Sequence, residues 1–265
     1  MELLLIFIIS FIIALILFFL FIHSAQKDIN LRSSHPGYKP KTYNSKGEFT
    51  YDSLPLLSKN SLNNIFLSLV FPAYNEENRL SPALEKAVNY FSSLDFKYEI
   101  IIVNDGSKDK TLDLIKNEIK KYSNVEYIKN KPEIIGVSYE KNGGKGFAVK
   151  TGMHYARGKY ILMLDSDGAT DIRDYQTLFE KIKDEEYCVT IGSRKIIAEK
   201  AERVWYRNIM GVINNFIIRG CIGIEGIKDT QCGFKLFTRN AARDIFRNTH
   251  LVRWAFDVDM LFISQ

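Results

Sequence analysis

The sequence predicts an α/β protein: a mostly parallel sheet with helices on both faces, preceded by one N-terminal transmembrane helix. Three observations predict it. Short continuous apolar runs alternate with stretches whose apolar residues recur at helical spacing, the pattern of strands covered on both sides. Each apolar run stops at a polar cluster: Tyr74-Asn75-Glu76-Glu77, Asp105-Gly106-Ser107 and Asp165-Ser166-Asp167. Residues 3–22 are apolar throughout except for Ser10.

That first run comes first in the chain. Twenty residues rising about 1.5 Å each cover roughly 30 Å, the thickness of a bilayer's hydrocarbon core. A cleaved signal peptide would start with a positive segment and end at a small-x-small site. This chain starts Met1-Glu2 and continues His23-Ser24-Ala25, so an uncleaved anchor is expected. Lys27, Arg32, Lys39 and Lys41 follow the span closely, against Glu2 on the other flank. Positive flanks stay cytoplasmic, which directs the rest of the chain to the cytosol. The expected layout is an anchor over residues 1–24, a polar linker over 25–62, a ligand-binding half over 63–200 and a second region over 201–265.

Composition narrows the function. The chain has 265 residues, 46% apolar and 25% charged, which suits a globular domain. A net charge of +5 without a dense basic stripe argues against nucleic acid and suits a surface facing anionic lipid head groups. Cys188, Cys221 and Cys232 form no CxxC pair. They read as free thiols in a reducing compartment.

In the globular part, residues 66–71 form a strand closed by Pro72, and Ser81-Pro82 reads as an N-cap and first-turn proline. Leu84, Val88 and Phe91 follow at helical spacing. Residues 99–103 are a second strand. Leu112, Ile115, Ile119 and Tyr122 share one helical face. Residues 125–128 read as a third strand, 143–156 as a glycine-opened helix, and 160–164 as a fourth strand ending at Asp165. Ligands on such sheets sit beyond the carboxyl ends of the strands, where the polar clusters fall.

Asp165 and Asp167 lie two residues apart at a strand end and can converge on one hard cation, Mg²⁺ or Mn²⁺. Carboxylates and a diphosphate repel unless a divalent ion lies between them, and that ion stabilises a departing diphosphate. A third protein ligand is not evident, since Ala169 cannot coordinate. Asp105 can accept the imide N–H of a uracil, or it serves an Asp-Gly turn. The backbone of Pro72, Ala73 and Tyr74, with Glu76, can contact base and ribose, or the cluster is acidity in a loop leading into a helix. The Lys141-Asn142-Gly143-Gly144-Lys145-Gly146 stretch resembles a phosphate loop at a helix N-terminus, although it has neither the P-loop nor the dinucleotide spacing. Lys145 is its candidate for the diphosphate, with a solvated lysine as the alternative.

Taken together, residues 70–77, 103–111, 141–152 and 163–170 resemble the inverting family 2 glycosyltransferases, whose GT-A fold is Rossmann-like. Asp229-Thr230-Gln231-Cys232-Gly233-Phe234-Lys235 and Arg253-Trp254-Ala255-Phe256-Asp257-Val258-Asp259 narrow the resemblance to members that use dolichyl phosphate as acceptor and UDP-glucose as donor. The resemblance implies an endoplasmic reticulum membrane enzyme and a metal at Asp165 and Asp167. It implies donor contacts at Pro72, Ala73, Tyr74, Glu76, Asp105, Lys145, Asp165 and Ser166. Asp167 and Asp257 become the catalytic candidates. Asp257 matches the base of relatives with hydroxyl acceptors, and is here a base, an orienting residue or an ion-pair partner of Arg253. Asn104 stands where many members carry an aspartate. Members usually continue past the Arg253–Asp259 motif, so a piece of a longer protein is expected.

A phosphate acceptor is already anionic and needs alignment and charge stabilisation more than a strong base. Arg194, Arg207 and Gln231 are the candidates for holding it, with solvated surface arginines as the alternative for the first two. Residues 204–218, aromatic and flanked by arginines, read as an interfacial helix or an amphipathic core helix. The rival readings are a GDP-mannose-dependent mannosyltransferase on the same lipid, a polysaccharide or glycolipid synthase, and an inactive, membrane-tethered nucleotide-sugar-binding protein.

Overall fold

A computed structural model describes residues 36–51, 54–58, 64–166, 170–192, 232–250, 253 and 256–264. The apolar run at 3–22, the 204–218 segment and Cys221 lie outside them. Among the described residues no helix is long and apolar enough to cross a membrane. Contacts divide the chain after Lys39. In the first unit the described structure is a 3-10 turn at Pro36–Tyr38.

The second unit holds one eight-stranded sheet. Its strands are β1 (Lys41–Asn44), β2 (Gly47–Phe49), β3 (Leu67–Ala73), β4 (Tyr98–Asp105), β5 (Glu133–Tyr139), β6 (Tyr160–Leu164), β7 (Val189–Ile191) and β8 (Phe234–Thr238). They are ordered β2-β1-β5-β4-β3-β6-β8-β7. The sheet is mixed, which corrects the mostly parallel expectation. The four central strands run parallel, and the four outer ones attach antiparallel. Helical crossovers force parallel pairing only on the strands they join. The β1–β2 turn is too short for a crossover, so it makes a hairpin. That hairpin lies in the stretch expected as linker, so the sheet begins earlier in the chain than the composition implies.

Strand alternation sorts the core into two layers. Leu67, Leu69, Phe71 and Ala73 face the layer holding α1 (Leu80–Phe91), α2 (Thr111–Asn124) and α4 (Tyr175–Ile182). Val70 and Val103 face the other side, against Gly152 of α3 (Lys145–Tyr155). A Cβ at Gly152 would lie 2.4 Å from Val70 Cγ1, so a glycine lets α3 lie close to the sheet. Helix α5 (Arg239–Asn248) packs on α3 and seats Phe246 against Phe237, ring centroids 5.5 Å apart. Helix α6 (Phe256–Ile263) contacts both. Each Val, Leu or Ile buried in these layers contributes roughly 1.5–3 kcal/mol of transfer free energy.

Two local expectations are corrected. The third strand is Glu133–Tyr139, not residues 125–128. Tyr127 is 87% exposed, whereas Ile134, Ile135 and Val137 are buried. Helix α1 begins at Leu80 without a side-chain cap. Ser81 Oγ instead donates to Glu118 on α2. Pro82 does lie in the first turn. Cys232 is buried and Cys188 half-buried, both as free thiols.

The chain passes outward through β3, β4 and β5, then returns across β3 to β6. Strand order therefore reverses between β3 and β6. In open α/β sheets a crevice forms at such a reversal, beyond the carboxyl ends.

Candidate active site

Each central strand ends where its apolar run ends, which brings Ala73, Asp105 and Asp165 to one edge of the sheet. At the reversal point the β3 and β6 ends are stitched together. Ser166 is buried, and its Oγ donates to the Pro72 carbonyl at 3.2 Å. The side chains of Pro72 and Ala73 are buried, so what they offer at the edge is backbone.

Asp105 is buried at 2% exposure, and both of its carboxylate oxygens are engaged. The Gly143 N–H donates to Oδ1 at 2.6 Å and the Gly144 N–H to Oδ2 at 2.8 Å. The Asn142 side chain adds a bond to the Asp105 carbonyl at 3.1 Å. The loop approaches so closely that a Cβ at Gly106, whose φ is +66°, would lie 2.5 Å from the Asn142 nitrogen. Asp105 thus clamps the loop ahead of α3.

The next residue belongs to a second carboxylate. Lys145 Nζ lies 2.7 Å from Asp165 Oδ1 and 3.0 Å from Oδ2. Both side chains are partly exposed. Asp165 also lines a cleft of about 620 Å³, with Phe71, Tyr90 and Leu164 among its walls. In the antiparallel β6–β8 register Leu164 pairs with Phe234, which sets Gly233 opposite Asp165. A Cβ at Gly233 would fall 1.9 Å from Asp165 Oδ2.

Lys235 is fully buried on β8 and donates to Asp257 Oδ1 at 2.5 Å and to the Cys232 carbonyl at 2.6 Å. Burial pushes the Asp257 carboxyl above its ordinary range, and the Lys235 and Lys145 ammoniums pull it back down. The Asp165 charge adds to the upward push on Asp257. Asp257 is thus part of an ion pair, with Lys235 as its partner.

The Tyr74–Glu77 cluster is tied to the loop after β4. Asn75, at φ 55°, accepts from the Lys108 N–H, and its own N–H donates to Ser107 Oγ. The Glu76 N–H donates to Thr111 Oγ1 at 2.8 Å, and its carboxylate is gripped by Arg79. Glu77 and Asp109 exchange bonds with each other's loops. Glu76 therefore serves loop geometry in this structure, while Tyr74 stands 42% exposed.

Of the residues singled out from sequence, Pro72, Ala73, Tyr74, Glu76, Asp105, Lys145, Asp165 and Ser166 meet along this edge. Asp257 joins them electrostatically. Asp167, Arg194, Arg207 and Gln231 lie outside the described residues. Lys235 and Gly233 are the members sequence reasoning missed. A lysine inside the apolar run Phe234-Lys235-Leu236-Phe237 was the available signal, because lysine is rarely fully buried without a partner.

The arrangement suits an anion beside a cation. The first-turn N–H groups of α3 lack intrahelical partners and favour phosphate. Asp165 already holds a cation with both oxygens, and hard carboxylate oxygens equally suit Mg²⁺ or Mn²⁺. Among the described residues no group of three His, Cys, Asp or Glu is placed to hold a metal.

Residues 68–246 match the model of glycosyl transferase family 2. The chain is similar to proteins named dolichyl-phosphate beta-glucosyltransferase. The Dictyostelium discoideum one is 42% identical over 78% of this chain and 64% of its own length. The human one is 37% identical over 75% of this chain and 63% of its own. The Saccharomyces cerevisiae one is 34% identical over 83% of this chain and 69% of its own. The chain thus spans only part of each relative's length.

Proposed function

The chain belongs to glycosyl transferase family 2, and on that footing we propose that it transfers glucose from UDP-glucose to dolichyl phosphate with inversion, giving dolichyl β-D-glucosyl phosphate. The observation that carries the reading is the shared edge. Asp105 clamps Gly143 and Gly144, Asp165 holds Lys145, and both carboxylates flank the N-terminus of α3. The names of the relatives support the choice of sugar and acceptor.

In this reading the diphosphate of the donor lies at the α3 N-terminus, and Lys145 leaves Asp165 to pair with it. Asp105 keeps the loop in place and accepts the uracil imide N–H. A phosphate oxygen of the acceptor attacks the anomeric carbon, the bond from that carbon to the diphosphate breaks, and UDP departs. The attacking oxygen is already anionic, so Asp257 serves to orient the acceptor more than to remove a proton. Asp165 and Asp167 would hold Mg²⁺ or Mn²⁺, which supplies Lewis-acid stabilisation of the leaving diphosphate. Arg194, Arg207 and Gln231 hold the acceptor phosphate. The apolar run at 3–22 and its positive flank support an anchor in the endoplasmic reticulum membrane with the catalytic part in the cytosol.

The test is direct. Purified protein is incubated with radiolabelled UDP-glucose, dolichyl phosphate and Mg²⁺ or Mn²⁺, and the organic extract is counted. Metal-dependent label in the lipid is expected. Label from GDP-mannose instead would reassign the donor, and no transfer by a folded sample would overturn the reading.

A further inference from the structure

A lysine buried to 0% exposure in the middle of an apolar strand needs a reason. Among the described residues Lys235 makes one ion pair, with Asp257, and stability explains it poorly. A buried ion pair gains about as much from mutual attraction as it loses in desolvation, and an apolar pair of similar volume often serves as well. The register supplies another reason. Lys235 pairs with Met163, so its side chain lies on the same side of the sheet as Met163, and toward α3 and α6. From there one ammonium holds two things. It binds Asp257 Oδ1 at the start of α6, and it binds the Cys232 carbonyl. Cys232 leads directly into Gly233, whose backbone abuts the Asp165 carboxylate.

We propose that Lys235 is a positioning residue: it fixes the Asp257 carboxylate relative to Asp165, and so sets the acceptor side of the reaction against the donor side. The inference rests on the glucosyl-transfer reading above. It deepens that reading by assigning the spacing between the two sides to a side chain that touches neither substrate. In-line displacement is sensitive to this spacing, since a misplacement of about 1 Å costs on the order of 100-fold in rate. Among the described residues Lys235 bonds to Asp257 and the Cys232 carbonyl and to none of the donor candidates, so its loss should leave donor binding alone.

The experiment compares Lys235→Met, Asp257→Asn and the double variant in the full chain. It reads kcat and KM for UDP-glucose, UDP affinity by calorimetry, and melting temperature. Lys235→Met is expected to lower kcat by roughly 100-fold with KM and UDP affinity within about twofold of the parent. The double variant removes both charges and leaves no unpaired buried ion, so its melting temperature is expected to stay near the parent's. It is expected to be no slower than Asp257→Asn, because Lys235 acts through Asp257. A Lys235→Met protein that turns over at the parent kcat would overturn the inference. So would a rise in KM that accounts for the whole loss, or a double variant further impaired in proportion to both single losses. A parent protein that binds UDP yet transfers nothing would overturn the functional reading and this inference with it.

Discussion

The Lys145 ammonium lies within 3.0 Å of both carboxylate oxygens of Asp165. That contact ties the metal candidate to the phosphate candidate before either ligand arrives. A divalent ion at Asp165 must displace Lys145, and a diphosphate at the α3 N-terminus must draw Lys145 away. Each ligand therefore makes room for the other, and linkage makes the coupling reciprocal.

The first prediction inverts a sign. Lys145→Gln removes the competing cation, so Mn²⁺ alone should bind more tightly, by roughly two- to fivefold for a partly exposed pair. UDP should bind more weakly, by about 10- to 100-fold, through loss of a charge-assisted bond. Electron paramagnetic resonance titration of Mn²⁺ and calorimetry of UDP read the two separately. Unchanged or weaker Mn²⁺ binding would refute the displacement argument.

The second concerns the glycine facing Asp165. Gly233→Ala places a Cβ 1.9 Å from Oδ2 and 2.1 Å from Cγ, so the carboxylate or the β8 end must move. Overpacking of this kind costs about 1–3 kcal/mol, and the displaced carboxylate should cost on the order of 100-fold in transfer. A variant with parent activity would show that Asp165 does not need its present position.

The third tests the clamp. Asp105→Ala removes two charge-assisted hydrogen bonds to the Gly143 and Gly144 N–H groups, each contributing about 1.5–3 kcal/mol. Asp105→Asn keeps one oxygen acceptor and should lose about half as much. Denaturant titration ranks the three proteins. Equal stability of the alanine variant and the parent would mean the loop holds itself.

How much of this was legible follows from which signal each residue carries. Strands β3, β4 and β6 each hold a dense apolar run, and the ends of the β4 and β6 runs announce Asp105 and Asp165 directly. Strand β5 escapes because Gly136 interrupts its run, while the neighbouring 125–128 stretch has a better strand composition. The glycine is there for a tertiary reason: a Cβ would lie 2.9 Å from Ile115 Cγ2. Hairpin β1–β2 is polar and short, so composition hides it. Lys235 reads as surface by residue type, and Gly233 matters only through its distance to a residue on another strand. Local pattern reports what a segment buries; it does not report what lies across the sheet.

The last prediction concerns pH. His154 sits in the last turn of α3, mostly buried, and its Nε2 has no hydrogen-bond partner among the described residues. Burial and the nearby Lys150 ammonium lower its pKa from 6.5 to about 4, against a hydrogen bond with the Phe246 backbone. The unfolded chain therefore binds this proton in a window where the folded chain does not. Stability should rise with pH across that window. The contribution is fully present above the unfolded value, and is lost as pH falls from about 6.5 toward about 4. Its size is at most about 3 kcal/mol. Melting temperatures near pH 7 and near pH 5 should differ more in the parent than in His154→Gln, which cannot titrate. An equal drop in both would assign the acid sensitivity to other groups.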